Sequence, residues 1–333
     1  MQSVTTHVEG DVLVVLVNNP PVNALSWHVR QGLKDGFEQG LADPAIKAIV
    51  LRCEGQTFIA GADITEFGKP PQGPDFASVL KLMETASKPI VAAIHGTALG
   101  GGLETALCCH YRIAVPSAKL GVPEVKLGLL PGGGGTQRLP RVVGVEQAAI
   151  MCSLGEPISA KKALETGLVD ALASDDGLAG DAITFAREAI AKGPRPTRNL
   201  PVKGDLAIIE KLKAENGRKW KGFDAPYANL RCVAAAAEHA DIDAGLKYER
   251  EEFMKLMIGS QSAAQRYMFF AERQAAKIDG LPKDTALRDV KKVGVIGAGT
   301  MGGGIAMNFL NVGIPVTIVE MKEEALTRGL GVI

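Results

Sequence analysis

Short apolar runs that break at glycine constrain this chain more than any other feature. Residues 89–94, Pro-Ile-Val-Ala-Ala-Ile, are the clearest case. A continuous apolar run of this length predicts a buried parallel strand. His95 and Gly96 turn it, and Gly100, Gly101 and Gly102 then open a helical stretch over residues 103–109. Residues 48–51 repeat the strand signal, and residues 58–64 come after them as a tight loop of small residues. In that loop Gly61 permits an unusual backbone angle and Asp63 is placed to cap the next turn. Strands alternating with helices predict an α/β fold, and strand order alone predicts a doubly wound sheet.

The same glycines leave backbone N–H groups uncovered. Three of them at a helix start expose orphan amides, and the helix dipole adds positive potential there. Two acids lie beside such turns. Glu104 falls in the first turn of the 103–109 helix, and Glu124 lies within GVPEVKLGLLPGGGGTQR, residues 121–138. Paired carboxylates beside free backbone donors can make and quench an enolate. The carboxylates move protons and the donors hold the oxyanion. Taken singly, each feature has a plainer reading: a first-turn charge for Glu104, close helix–strand packing for Gly100 to Gly102, and a simple turn for residues 58–64.

A second glycine signal stands near the end. Residues 292–296 predict a short strand, and Gly297-Ala298-Gly299-Thr300-Met301-Gly302 leads into a helical run over 303–311. Residues 316–320 form the next strand and end in Glu320. A GxGxxG between strand and helix, with an acid at this distance, is a dinucleotide fingerprint rather than a chance turn. The glycines admit a pyrophosphate to the helix N-terminus, and Glu320 is expected to bond a ribose 2′-hydroxyl, which favours NAD over NADP.

Composition narrows the remaining classes. The chain has 333 residues, with 37 lysines plus arginines against 37 acids. Bulk charge therefore supplies no argument for nucleic acid or a membrane surface, and the length implies two or more folding units. Glu9 and Asp11 precede the first apolar strand, so no signal peptide is expected, and no apolar run is long enough to span a bilayer. Cys53, Cys108, Cys109, Cys152 and Cys232 show no metal or disulfide spacing, and Cys108-Cys109 reads as buried packing. His95 lies near the glycine turn without a Ser or Cys nucleophile, so a turn or substrate-contact role is expected. Strands are expected near Val12, Ala48, Ile90, Tyr111 and Leu168, and helices over 26–41, 76–86, 103–109, 159–165 and 178–191. Ser159 is an expected N-cap and Gly167 a helix stop. Residues 69–74 read as a mobile loop, and residues 205–278 as helices whose Glu210, Lys211, Lys213 and Glu215 form a solvated face.

Four segments in order, NNPPVNALS (18–26), FIAGADITEF (58–67), IHGTALGGGLE (94–104) and VPEVKLGLLPGGGGTQRLPR (122–141), resemble the crotonase (enoyl-CoA hydratase/isomerase) superfamily. The resemblance runs from about residue 5 to 195. It implies a spiral of ββα units in place of the doubly wound sheet, with an acyl-CoA thioester as substrate. It implies an oxyanion hole made by the amides of Ala62 and Gly101, and Ala60, Ala62, Asp63, Ile64 and Gly101 as substrate-binding residues. The family's hydratase carboxylates fall on Glu104 and Glu124, with Glu104 activating water and Glu124 protonating C2. Many relatives replace one or both glutamates and catalyse other reactions on CoA thioesters, so the intact pair points to hydration. Glu124 shuttling a proton between C4 and C2 would give enoyl-CoA isomerisation. Hydration itself needs no cofactor.

KVGVIGAGTMGGGIA (292–306) with VTIVE (316–320) is similar to the start of 3-hydroxyacyl-CoA dehydrogenases, and SQSAAQRYMFFAERQAAKIDGLP (260–282) is similar to the linking region of multifunctional β-oxidation enzymes. The implied domains are 1–192 crotonase, 193–288 helical linker and 289–333 the start of an NAD-binding Rossmann domain, a truncated βαβ unit. No counterpart of that family's catalytic histidine is present, and Phe269-Phe270 lacks it, so the expectation is hydratase chemistry without dehydrogenase activity. NAD, and a thiolase as partner, would belong to the longer parent. A monomer is expected, because multifunctional relatives fold the helical segment back on the core. The expected location is cytoplasmic, or peroxisomal in a eukaryote. Two other classes stay open: a hydride-transferring dehydrogenase, and a non-catalytic CoA-thioester binding or assembly module.

Overall fold

The computed structural model describes every residue except 1, 67, 68, 71, 175, 240, 276 and 283. Phe67 of the 58–67 motif and Pro71 of the expected mobile loop thus lie outside the described residues. The chain forms two compact units, Met1–Gln274 and Ala275–Ile333.

In the first unit β1 (Val4–Glu9) turns at Gly10 and pairs antiparallel with β2 (Val12–Val17). Next come α1 (Trp27–Ala42), β3 (Ala48–Cys53), α2 (Phe76–Glu84) and β4 (Ile90–Ile94). After them run β5 (Thr97–Leu99), α3 (Gly101–Cys108), β6 (Tyr111–Ala114) and β7 (Lys119–Gly121). A 3₁₀ turn at Pro123–Leu127 carries Glu124. Then come α4 (Gly135–Leu154), β8 (Ile158–Ser159), α5 (Ala160–Glu165), β9 (Ala171–Leu172) and α6 (Leu178–Lys192). The large sheet has the order β1-β2-β3-β4-β6-β9, parallel after its first pair. A small sheet has the order β5-β7-β8. Two successive turns of the chain, β4-β5-α3 and β6-β7-α4, each lay one strand in the large sheet, one in the small sheet, and then a helix. The strand order never reverses, which is why the doubly wound expectation fails: that fold has a switch point where the order turns back.

Apolar burial holds these layers together. β4 is buried throughout, and α1 turns Val29, Leu33 and Phe37 inward at helical spacing. Each such side chain contributes about 1.5–3 kcal/mol on leaving water. Ser159 caps α5 through the amide of Lys162, and Gly167 takes the left-handed conformation (φ 76°) beyond its end, both as expected. The strand expected near Leu168 begins later, at Ala171, because Leu168 still closes the α5 turn by donating to Ala163 O (2.7 Å). α4 was not expected. Its glycine lead, Pro140 and Gly144 all read as breakers, and the chain does break within it: Gly144 has φ 82° and ψ 163°, joining two helical pieces.

Helices α7 (Ala207–Asn216), α8 (Ala225–Glu238), α9 (Ile242–Met257) and α10 (Ser260–Ala275) complete the unit. They fold back on the layers already described. Asn229 of α8 donates to Leu129 O (3.1 Å), and Ser262 of α10 donates to Leu127 O (2.9 Å). Glu210, Lys211 and Glu215 are exposed, as their pattern predicted.

The second unit is β10 (Val293–Ile296), α11 (Thr300–Leu310), β11 (Val316–Val319) and α12 (Glu323–Leu330). β10 and β11 are parallel, with Val293 opposite Val316. No helix among the described residues is long and apolar enough to cross a membrane.

Candidate active site

Two loops bring unspent amides together. After β3 the chain reaches Gly61 at φ 126°, and Leu25 N donates to Gly61 O (2.9 Å), which pins the loop. Asp63 accepts from the amide and hydroxyl of Thr65, the expected cap. After β5, Gly100 turns at φ 53° into α3, so Gly101 is the first helical residue. A Cβ placed on Gly101 would lie 3.4 Å from Ala62 N, so the two amides are neighbours. Among the described residues, no hydrogen bond occupies the N–H of either Ala62 or Gly101. Ala60 and Ile64 flank the loop half-buried. Gly102 permits the approach: a Cβ there would stand 2.0 Å from Ile59 O.

Both carboxylates border this pair of loops. Glu104 sits in the first turn of α3, only 2% exposed. Its Oε1 accepts the amides of Gly133 (2.7 Å) and Gly135 (2.8 Å). Glu124 is set over Gly100, where a Cβ would meet Glu124 Oε1 at 2.6 Å. Its own backbone amide is the one donor near its carboxyl group among the described residues, and its Oε2 is buried without a hydrogen-bond partner.

The glycine run before α4 feeds a third acid that sequence reasoning missed. Gly134 N donates to Glu249 Oε1 (2.7 Å), and Thr136 donates to Glu249 Oε2 through both its amide (3.0 Å) and its hydroxyl. Successive amides from 133 to 136 thus alternate between Glu104 and Glu249. Arg138 closes the turn from below, donating to Gly133 O (2.8 Å) and forking onto Glu84 at 3.0 and 2.8 Å. Phe76 and Leu25 were missed as well. A Cβ on Gly101 would lie 3.1 Å from Leu25 Cδ1 and 3.6 Å from Phe76 Cε1. Glu249 left one legible trace: it occupies the buried stripe of α9 beside Ile242 and Gly245, where an apolar residue would be ordinary.

Burial raises all three acids. For Glu104 the amides of Gly135 and Gly133, and then Arg138, pull the other way. Glu124 stands well above the usual carboxylate range, through burial and then the charge of Glu104. Glu249 is pushed up to about 8 by burial and then Glu104, against its bonds to Thr136 and Gly134. Hydrogen bonds to the charged form favour ionisation, and like charges close together do not ionise equally. Glu104 has two amide donors from the turn, and Glu124 has none beyond its own backbone.

His95 Nε2 lies 3.1 Å from Gly55 O, holding the turn after β4. All five cysteines are free and buried, Cys108 and Cys109 as expected.

In the second unit, Gly297 has φ 99°, and a Cβ on Gly302 would lie 1.9 Å from Gly297 O. A Cβ on Gly299 would meet nothing within 4 Å, so the turn is an open cradle at the N-terminus of α11. Glu320 folds onto it: Oε2 accepts Ala298 N (3.0 Å) and Oε1 accepts Met321 N (2.8 Å). The cradle fits a pyrophosphate.

Comparison with known proteins shows the family and the fold. Residues 7–213 match the enoyl-CoA hydratase/isomerase family model, and residues 292–333 match the NAD-binding domain of 3-hydroxyacyl-CoA dehydrogenase. The peroxisomal bifunctional enzyme of Danio rerio is 40% identical over 333 residues, covering 97% of this chain and 46% of that protein. The glyoxysomal fatty acid beta-oxidation multifunctional protein of Cucumis sativus is 36% identical, covering 96% of this chain and 46% of that protein. The chain therefore spans under half the length of these curated relatives. An enoyl-CoA hydratase/isomerase structure from Pseudoalteromonas atlantica superposes with TM-score 0.62 at 25% identity, covering 81% of this chain and 97% of that one.

Proposed function

The chain belongs to the enoyl-CoA hydratase/isomerase family, and from that premise we propose that its first unit, with the crotonase fold, hydrates trans-2-enoyl-CoA to 3-hydroxyacyl-CoA in fatty-acid β-oxidation. The observation that carries the reading is the unequal supply of donors to Glu104 and Glu124, beside the open amides of Ala62 and Gly101. The thioester oxygen accepts from Ala62 N–H and Gly101 N–H. Glu104, whose charged form the amides of Gly133 and Gly135 favour, takes a proton as the oxygen of water bonds to C3. The C2–C3 π pair moves toward the thioester, and the two amides stabilise the resulting enolate oxygen. One such donor is typically worth about 100- to 1000-fold in rate. Glu124, the donor-poor acid, gives its proton to C2, and exchange with solvent returns both groups to their starting states. Ala60, Asp63 and Ile64 border the thioester loop and are assigned to substrate contact.

Isomerisation of 3-enoyl-CoA is the second reading. Glu124 alone would carry the proton from C4 to C2, and the absence of a hydrogen-bond partner on its Oε2 among the described residues supports that exchange.

For residues 292–333 we infer the adenosine side of a dinucleotide site. Gly297, Gly299 and Gly302 form the cradle, and Glu320 is the ribose acceptor in place of its present bond to Ala298. NAD supplies the hydride acceptor when bound, and we assign it, with the dehydrogenase activity and a thiolase partner, to the longer parent. The names of the relatives support a peroxisomal setting in a eukaryote.

The test is crotonyl-CoA hydration by the purified chain, monitored as loss of the conjugated enoyl absorbance. Turnover at a rate typical of enzymes is expected. No turnover by folded protein overturns the reading.

A further inference from the structure

Glu249 is built into the turn that holds Glu104, although it comes from a different part of the chain. α9 begins at Asp241, whose side chain caps it through the Asp243 amide, and its buried stripe carries Ile242, Gly245, Glu249 and Glu252. A carboxylate on a buried stripe costs several kcal/mol unless donors meet it. Here three donors do: Gly134 N, Thr136 N and Thr136 Oγ1. Glu252 takes a different route, pairing with Arg231 and Lys255 at the surface.

The turn itself is stripped of side chains. A Cβ on Gly133 would lie 2.6 Å from Phe76 Cε1 and 2.9 Å from Glu104 Oε2, and one on Gly135 would lie 3.0 Å from Glu104 Oε1. A Cβ on Gly134 (φ 95°) would collide with Arg138. Four consecutive residues thus present amides alternately to the two acids, like the two sides of a zip. Neither acid can shift without moving the backbone that holds the other.

We propose that Glu249 is a positioning residue of the hydration site: through Gly134 and Thr136 it fixes the turn whose other two amides set the Glu104 carboxylate. This rests on the hydratase reading above. Glu249 does not touch substrate in this role. It sets where Glu104 stands when water is attacked, and it adds a second electrostatic neighbour to the pair. The groups facing it are Glu104 from α3, Glu124 from the 3₁₀ turn, Arg138 and Cys152 from α4, and Cys232 from α8. Both thiols are raised by burial and stay neutral. Arg138 is committed to Glu84. The charge of Glu249 therefore acts on the two catalytic carboxylates. It reaches its ionised form only toward about pH 8, so its effect on Glu124 falls on the alkaline side of the rate profile.

The experiment measures kcat, KM and the pH profile of kcat/KM for crotonyl-CoA in the parent, Glu249→Gln and Thr136→Val. Glu249→Gln removes the charge and one acceptor. It is expected to lower kcat about 10- to 100-fold, the scale of a small misplacement of a catalytic group. KM should stay within about twofold, because binding common to ground and transition states is untouched. Its alkaline limb should move to lower pH, since Glu124 loses a neighbour that keeps its proton on. Thr136→Val removes only the hydroxyl donor and keeps the shape, so it tests the idea even if Glu249→Gln does not fold. It raises the Glu249 pKa, so the alkaline limb should move the same way by less, with kcat lowered a few-fold. If the parent hydrates crotonyl-CoA and a folded variant keeps its kcat and its alkaline limb, the positioning role is overturned. An inactive parent instead overturns the hydratase reading on which it depends.

Discussion

Two of the glycine-rich turns that lead into helices spend their amides differently. Around Gly133 to Thr136, acids from two remote helices have claimed the donors: Glu104 from α3 and Glu249 from α9. Around Gly297 to Gly302, a single local acid, Glu320, reaches one amide, and the space over Gly299 is open. The glycines alone look alike in the sequence. What differs is the tertiary partner, and that decides whether a turn anchors catalytic groups or offers itself to a ligand. Gly100 to Gly102 make a third case: the turn is packed tightly against Ile59, and among the described residues no hydrogen bond occupies its Gly101 amide beside Ala62.

If the first turn serves Glu104, the largest effects belong to the acids themselves. Glu104→Gln and Glu124→Gln should each lower the hydration rate about 100- to 10000-fold, the usual range for a general acid or base. Circular dichroism should show both folded. A folded variant within a few-fold of the parent removes that residue from the mechanism.

Next comes the free amide. Gly101→Pro deletes one N–H and should lower kcat about 100- to 1000-fold. Affinity for a saturated acyl-CoA is the control, because the donor is used most fully in the transition state. Equal losses in kcat and in that affinity would point to a distorted helix start instead.

A smaller effect concerns stability. Glu249 titrates near 8 in the folded chain, against about 4.3 for an unfolded glutamate. Between these values the folded state binds more protons than the unfolded state. Its contribution is therefore fully present below about pH 4.3 and is lost as pH rises through about 8. Urea midpoints should fall more steeply with pH in the parent than in Glu249→Gln. Parallel slopes would mean that the buried acid is not held as described.

The smallest expected effect marks a helix whose start is fixed locally. Ser159→Ala removes the α5 cap on Lys162 N and should cost about 1 kcal/mol with kcat unchanged. A large loss of activity would show that the layers are coupled to the site more tightly than the comparison implies.

The sequence made the parallel strands legible, because residues 48–51 of β3 and all of β4 are unbroken apolar runs. Glu104 and Glu124 were nameable as candidates because each sits beside a glycine-marked turn, and the family resemblance pointed to Ala62 and Gly101. The structure brings Ala62 N next to Gly101, and sets Glu124 against Gly100 and Glu104 against Gly133 and Gly135. Glu249 was not nameable. One of the three acids within Tyr-Glu-Arg-Glu-Glu looks like surface charge, and the packing of α9 on the 133–136 turn shows otherwise. α4 was hidden for a related reason: local propensity reads Pro140 and Gly144 as ends, and the chain does leave helical geometry at Gly144, but helix continues on both sides of it. The unequal donor supply of Glu104 and Glu124 was invisible too, since the amides come from a turn 29 and 31 residues away.

The central claim is that one carboxylate works ionised and the other protonated at the same pH. The most direct measurement is kcat/KM for crotonyl-CoA on the unaltered chain across about pH 4 to 10, a span covering ordinary and raised carboxylates. The account predicts a bell, with an acid limb from Glu104 and an alkaline limb from Glu124 lying well above the range of an ordinary carboxylate. A rate that falls only on the acid side, and stays level to the alkaline end, would contradict it.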